Sequence, residues 1–296
     1  MPELKQLGIE FSGLWANMVS EALWLIFGAA LALTIRLARM LGRRTLLRRA
    51  FGANVHTADD IAIYLPLWRV QDRDRAETRF EKQSGAGETR RYYGPDRTFA
   101  EEDVKSAFEA AQTFAKFFAR PIAIRPDDER LHENETTLLI GAAVANRHVD
   151  SVLDLYRCEC PERLPIDFPA IAENSDSRAV FFIRNNANGD EYRFTGTTDY
   201  AFILRLPKLE DGAGNHFIIA GIDASGTQAA GGVLRRRWTM FSKFKGPAAA
   251  VVTLQRGRPE TCRVVTWIYR RNNRWATRAG AGQQLNMRVA SARRDG

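Results

Sequence analysis

The pattern of hydrophobic and polar positions separates a long apolar segment near the N-terminus from a region of short alternating elements. From Phe11 to Ile35 the chain is apolar except for one charge, Glu21. As a helix this segment would be roughly 37 Å long, enough to cross a hydrocarbon core of about 30 Å. Because only Ala22 to Ile35 is free of charge, an interfacial helix and a buried core helix remain alternatives.

The charges around this segment predict its orientation. Six arginines follow it, at positions 36, 39, 43, 44, 48 and 49, whereas Glu3, Lys5 and Glu10 precede it. The positive-inside rule therefore places the rest of the chain in the cytoplasm, as a single-pass protein of the cell membrane. A cleavable signal peptide fits poorly, because the positive charge follows the apolar stretch. Gly28 and Ala32 lie on a small-residue stripe that predicts a homo-oligomer, with ordinary bilayer composition as the alternative.

The remainder of the chain changes from alternating strands and helices to closely spaced strands. Alternation of this kind is typical of a parallel sheet, and short successive strands are typical of an antiparallel one. The predicted strands are 61–68, 122–125, 137–140, 180–184, 191–195, 200–206, 216–222, 248–254 and 263–269, and the predicted helices are 99–120, 146–156 and 225–238. On the first of these helices, one apolar stripe is predicted to face the core: Val104, Phe108, Ala111, Phe114 or Ala115, and Phe118.

These elements predict an α/β fold, with an N-terminal transmembrane helix and a three-layer Rossmann-like domain that contains a mixed sheet. The predicted organisation is a membrane anchor with a basic juxtamembrane segment (1–50), a cytoplasmic α/β domain (51–270) and a basic C-terminal tail (271–296).

Charge is concentrated at the two ends of the chain. The formal net charge is +8, of which residues 1–50 carry +4 and residues 270–296 carry +6, so the part between them is slightly acidic. A near-neutral body with basic ends makes nucleic acid an unlikely partner and favours the anionic lipid bilayer. The three cysteines cannot form a disulfide framework and, like the four scattered histidines, lack metal-ligand spacing, so no metal site is predicted.

Two strand-to-helix turns are the candidate ligand site. In each, an apolar strand ends in a glycine, and a short polar turn leads into a helix whose N-terminal N–H groups attract anions. The predicted ligand-binding residues are Gly141, Asn146, Asp223, Ser225, Gly226, Thr227 and Gln228. The alternative is that they are ordinary turn and helix-capping residues. Neither a P-loop nor a dinucleotide-binding glycine pattern is present, and the sequence leaves the cofactor open.

Known catalytic patterns fit the second turn poorly. Asp223 followed by Ser225 looks like the nucleophile motif of haloacid-dehalogenase-type phosphatases, but Ser225 replaces the second aspartate and the later acidic motif is missing. A serine nucleophile at Ser225 would lack its flanking glycines, and no histidine follows His216.

Three segments carry a resemblance to bacterial proteins: 140–146 (IGAAVAN), 199–207 (DYAFILRLP) and 220–227 (AGIDASGT). With the anchor and its arginines, the chain resembles membrane-anchored Rossmann-like proteins, and in architecture it is similar to nucleotide-sensing effectors of antiviral defence systems. The anchor and the two turns, together with this resemblance in architecture, predict a membrane-anchored sensor that binds a small anionic, nucleotide-like ligand and signals as a homo-oligomer. A membrane-bound enzyme acting on a nucleotide or nucleoside and a protein-interaction scaffold remain alternatives.

Overall fold

A computed structural model describes residues 3–69, 82–83, 89–90, 97–142, 145–172, 179–209 and 214–280. The chain divides into two compact units, Met1–Leu46 and Leu47–Gly296. The helices are α1 Glu3–Phe51, α2 Glu101–Phe114, α3 Arg147–Glu159 and α4 Ala224–Arg237. The strands are β1 Ile61–Leu65, β2 Trp68–Arg69, β3 Lys82–Gln83, β4 Thr89–Arg90, β5 Arg97–Thr98, β6 Ala123–Pro126, β7 Thr136–Ile140, β8 Ile166–Asp167, β9 Ala170–Ala172, β10 Ala179–Asn185, β11 Glu191–Arg193, β12 Thr198–Pro207, β13 Asn215–Gly221, β14 Ala248–Gln255, β15 Arg258–Arg271 and β16 Arg274–Ala279.

Helix α1 contains the predicted apolar segment and continues through the arginines that follow it. The part from Met18 to Phe51 is long and apolar enough to cross a membrane, a property that some signal sequences share. Its most apolar window is wholly exposed, so the core-helix alternative does not fit. Leucine and arginine are good helix formers, which explains why the helix extends past Ile35. It ends at Gly52, whose positive φ of 139° stops the helical pattern.

The last turn of α1 belongs to the second unit. Leu47, Ala50 and Phe51 are buried in its core. The Phe51 ring lies 4.6 Å from the Phe114 ring, centroid to centroid, and its carbonyl accepts a hydrogen bond of 2.8 Å from Thr136 Oγ1. The α/β unit therefore includes residues that the predicted boundary at 50/51 assigned to the anchor.

An eight-stranded mixed sheet forms the centre of the second unit, as the strand pattern predicts. Its order is β16-β15-β14-β12-β13-β7-β1-β6. One half of the sheet is parallel and contains β6, β1, β7 and β13. On the other side of β13, each neighbouring pair is antiparallel, in the order β13-β12-β14-β15-β16. Strands β8 to β11 form a smaller separate sheet.

The two faces of the large sheet bury different partners. Ile61 and Ile63 of β1 pack in a core with α2, α4 and the end of α1, whereas Ala62 and Tyr64 pack in a second core with α3. On α2 the buried residues include Ser106, Ala110 and Phe114, so Phe114 of the predicted core stripe is confirmed. The predicted core positions Val104 and Phe108 are wrong. They are 44% and 62% exposed.

The carboxyl-terminal edge strand differs from the prediction. Strand β15 extends to Arg271 and pairs with β16, so the first nine residues of the predicted basic tail, 271–279, lie in the sheet. The connecting residues Asn272 and Asn273 both have positive φ, 51° and 58°, as a two-residue type I′ hairpin turn requires. The rest of the predicted tail, 281–296, lies outside the described residues.

Candidate functional site

The structure brings the two predicted turns to the same edge of the sheet. Strands β7 and β13 are parallel neighbours, and the Gly141 N–H donates a hydrogen bond of 3.0 Å to the Ile219 carbonyl. Ligands of open α/β sheets bind at this carboxyl edge, where the order of the strands reverses. Here the reversal falls between β1 and β7, because the chain passes from β1 to β6 on one side and then to β7 on the other.

The crevice between β1 and β7 is occupied by the protein itself. A Cβ atom at Gly141, where φ is +95°, would lie 3.2 Å from Pro66 Cγ. The Asp127 carboxylate accepts hydrogen bonds from the backbone N–H groups of Leu67 and Arg147, at 2.9 and 3.1 Å. Gly141 is therefore needed for close packing, and its predicted ligand contact remains a prediction.

Asn146 holds this edge together. Its side chain is fully buried, and its amide nitrogen donates to the carbonyls of Tyr64 (3.2 Å) and Ile140 (2.8 Å). Its amide oxygen accepts from the N–H groups of His148 and Val149 at the start of α3. All four hydrogen-bonding positions of the amide are thus used by backbone groups, and a ligand contact would require breaking one.

The turn between β13 and α4 is also closed by internal hydrogen bonds. The Asp223 carboxylate accepts from the Ala224 N–H at 2.7 Å. The Asp223 carbonyl accepts from the N–H groups of Gly226 (3.0 Å) and Thr227 (3.3 Å), and Thr227 Oγ1 accepts from the Gly221 N–H at 3.0 Å. Three of the N–H groups predicted to receive a phosphate therefore have partners, as the capping alternative predicts.

Carboxylates surround this turn. Asp199 is buried, and a Cβ atom at Gly226 would lie 2.9 Å from its Oδ2. Burial and the nearby Asp223 charge raise the pKa of Asp199 to about 6, so most Asp199 side chains are ionised at neutral pH. Ser225 Oγ lies 3.5 Å from Asp199 Oδ2, and Gln228 is half-buried on α4. The Asp199 and Asp223 carboxylates oppose an anion here, and the nearby cation Arg256 already lies 3.8 Å from Asp223 Oδ2, so ligand binding at this turn remains a prediction.

Positive charge instead lines a cavity that sequence reasoning missed. The cavity has a volume of about 870 Å³ and lies between the β15–β16 hairpin and the loop 243–247. Six cationic side chains and no carboxylate line it: Arg163, Lys243, Lys245, Arg270, Arg271 and Arg278. Its wall also contains Phe244 and Tyr269, whose stacked rings have centroids 4.5 Å apart.

A second cavity adjoins the first. Its volume is about 330 Å³, and it lies where the carboxyl end of α4 faces strands β15 and β16. Arg236, Arg237, Arg263 and Arg278 line it, again without a carboxylate, so Arg278 lies on both cavities. We call the two cavities together the basic groove.

The charges of the basic groove are largely uncompensated. Among the described residues, no carboxylate lies within 4.0 Å of a charged nitrogen of Lys243, Lys245, Arg271 or Arg278. The charge pattern predicted a basic tail, but Arg270, Arg271, Arg274 and Arg278 belong to strands β15 and β16. The signals for this hairpin were the Asn272-Asn273 turn and the strand-forming residues of 274–279.

Arg205 links the basic groove to the end of α1. This buried side chain donates to the carbonyls of Phe241 (2.7 Å) and Phe244 (2.9 Å), next to the groove, and to that of Ala50 (3.2 Å) in α1. It also donates to the Gly246 carbonyl. Burial lowers the pKa of Arg205 to about 10, so the guanidinium remains charged at neutral pH.

Other candidate chemistry gives no site. In the described part of the chain, no group of three or more His, Cys, Asp or Glu side chains is arranged to hold a metal ion. A cavity of about 600 Å³ at the amino end of β7 has a lining of mixed charge, in which Arg125 pairs with the buried Glu135 at 3.1 Å. The three cysteines are free thiols.

Comparison of the chain with protein-family models, curated proteins and solved structures finds no match.

Proposed function

We propose that this protein is a membrane-anchored sensor that binds a phosphate-bearing, nucleotide-like anion in the basic groove. In this proposal α1 spans the cell membrane once, and the second unit is a three-layer Rossmann-like domain on the cytoplasmic side. The observation that carries it is the cavity of about 870 Å³ with six cationic side chains and no carboxylate. This volume falls within the range of about 300–1,000 Å³ that is typical of small-ligand sites.

Electrostatics favour an anion in the groove. Like charges that converge without counter-charges repel one another, and a bound phosphate relieves this repulsion while it gains hydrogen bonds. Arginine matches phosphate geometry with two parallel N–H groups, so Arg270, Arg271 and Arg278 are suited to hold it. The site therefore differs from the predicted turn, although the class of ligand is the one that the sequence predicts.

The contacts of Arg205 support a sensor. A ligand that moves the loop 243–247 would change the acceptors of Arg205, and the same guanidinium contacts the last turn of α1. Occupancy of the groove is thereby coupled to the anchor, through which copies of the chain would associate. The use in antiviral signalling rests on the resemblance alone.

An enzymatic role has less support. The Asp223 carboxylate, the nucleophile or base of that alternative, already caps α4 and lies 3.8 Å from Arg256 Nε. Since no carboxylate lines the basic groove, the groove has charge to bind a phosphate but no carboxylate base to activate an attacking group.

Calorimetry on the full-length protein in non-ionic detergent tests the proposal. The probes are pyrophosphate, mononucleotides, dinucleotides and cyclic oligonucleotides. Lys245→Ala and Arg271→Ala should each weaken binding about tenfold, since a hydrogen bond to a charged group contributes about 1.5–3 kcal/mol. Arg130→Ala, which removes an exposed arginine far along the sheet, is the control and should leave binding unchanged. If no probe binds, or all three variants bind alike, the groove is not the ligand site.

A further inference from the structure

We infer that the basic groove takes an extended single-stranded oligonucleotide rather than one mononucleotide. The inference rests on the proposed function and concerns the length and form of its ligand. It starts from the observation that Arg278 lines both cavities, so the two cationic cavities adjoin at this side chain.

The length of the basic groove exceeds that of a mononucleotide. Arg271 lines the larger cavity and Arg263 the smaller one, and both belong to β15. They are eight positions apart along the strand, which corresponds to roughly 26 Å at about 3.3 Å per residue. A single phosphate group satisfies the cations at one end only, whereas a chain of phosphodiesters reaches both.

The shape of the groove favours a single strand. The smaller cavity, of about 330 Å³, has room for a group the size of one nucleotide but is too small for a rigid duplex. Met240 of the smaller cavity and Tyr269 of the larger one are partly exposed and offer contacts to a base, whereas Val233 and Trp267 are nearly buried. Proteins that bind single-stranded nucleic acids typically place arginines along the phosphate backbone and apolar or aromatic side chains against the bases.

The structure also changes the charge argument against nucleic acid. That argument placed the C-terminal arginines on a tail outside the folded body, whereas four of them lie in strands β15 and β16. The basic surface of the folded unit is therefore larger than the charge distribution along the sequence predicts. Headgroups of anionic lipids share the phosphate chemistry, and the experiment separates them from a nucleic acid.

The test measures fluorescence anisotropy of labelled oligothymidylates with the full-length protein in nanodiscs of neutral lipid. Lengths of about two, six and twelve nucleotides fall around the site sizes of known single-strand binders. Affinity should rise at least tenfold from the shortest to the longest probe, and a duplex of equal length should bind more weakly. Because each phosphate contact contributes about −0.7 to the slope of log K against log salt, the longest probe should give the steepest slope.

Variants test which cavity contacts which part of the oligonucleotide. Arg237→Ala and Arg263→Ala, in the smaller cavity alone, should weaken the longest probe about tenfold and leave the shortest unchanged. Arg278→Ala should weaken binding of the longest probe and reduce its salt slope by about 0.7. Arg130→Ala again serves as the control, and thermal melting of each variant verifies that it is folded.

Three results would overturn the inference. If short and long probes bind with equal affinity and Arg237→Ala does not change that affinity, the site holds a mononucleotide. The proposed function then stands, and the inference of an oligonucleotide is wrong. If nanodiscs with anionic lipid abolish binding of every length, lipid headgroups are the occupant. If no probe of any length binds in neutral nanodiscs and calorimetry also fails, both proposals are wrong.

Discussion

At the scale of single residues, conformation and packing explain several positions that also looked functional. Asn146 and Asp223 were predicted to contact a ligand, yet their side chains cap α3 and α4. A side chain that accepts hydrogen bonds from the first N–H groups of a helix stabilises the fold by about 1 kcal/mol. The sequence signals for a cap and for an anion site are the same, because both consist of a polar residue before a helix.

Two adjacent glycines in α4 provide a matched test of packing. A Cβ atom at Gly231 would lie 2.5 Å from Ser106 Oγ and 2.8 Å from the Ser106 carbonyl oxygen of α2, whereas one at Gly232 would meet only the flexible end of Arg236, at 3.3 Å. Gly231→Ala should lower the free energy of unfolding by about 1–3 kcal/mol. Gly232→Ala should leave it unchanged or raise it by up to about 1 kcal/mol, since alanine favours helix. Chemical denaturation measures both, and equal effects would contradict the close packing of α2 and α4.

Replacement of the buried Arg205 is predicted to lower the free energy of unfolding strongly. Replacement by leucine would leave the carbonyls of Phe241, Phe244 and Gly246 without their donor in a buried site. The free energy of unfolding should fall by at least about 3 kcal/mol, because each buried polar group left unpaired costs about 1–3 kcal/mol. The exposed pair of Arg184 with Glu191 is the comparison, where Arg184→Ala should cost less than about 1 kcal/mol. A small loss in Arg205→Leu would mean that water replaces the guanidinium.

At the scale of elements, α1 joins two regions that the sequence pattern separates. Its apolar part is exposed, and its last turn is part of the α/β core. The apolar pattern predicts a helix long and apolar enough to cross a membrane, and α1 has this length and composition. The second property depends on Phe51 meeting Phe114 and Phe217, which are distant in sequence.

The position of the element boundary predicts how fragments behave. A fragment that begins at Arg44 keeps Leu47, Ala50 and Phe51, and it should be soluble and fold cooperatively. A fragment that begins at Gly52 loses these buried side chains and should be less stable by at least about 3 kcal/mol. Urea denaturation of the two fragments makes the comparison. Equal stability would show that the end of α1 contributes little to the core.

At the scale of the whole molecule, we expect the two units to have different roles. The first supplies one helix long and apolar enough to span a bilayer, and the second supplies the mixed sheet and the basic groove. Orientation, self-association and signalling remain proposals, and they depend on α1 being retained in the membrane.

Alkaline carbonate extraction tests that dependence. We expect the full-length protein to stay in the membrane fraction, because a spanning apolar helix is not released by loss of electrostatic contacts. Cross-linking in the same membranes tests self-association, where Gly28→Leu should reduce dimer yield since Gly28 permits close approach of two helices. Ala30→Leu, on another face of the helix, is the control. Release by carbonate would favour the interfacial alternative.

The sequence by itself determined the apolar helix, most of the strands and the mixed character of the sheet. These features depend on hydrophobic periodicity and chain spacing, which are local properties. Tertiary structure decided which polar groups remain free. In the folded protein, the amide of Asn146 and the N–H groups after Asp223 form internal hydrogen bonds. Four arginines lie in a hairpin beside Lys243 and Lys245. Whether a charged side chain pairs with an opposite charge or lies beside charges of the same sign depends on contacts between segments that are distant in sequence. A local sequence pattern does not contain this information.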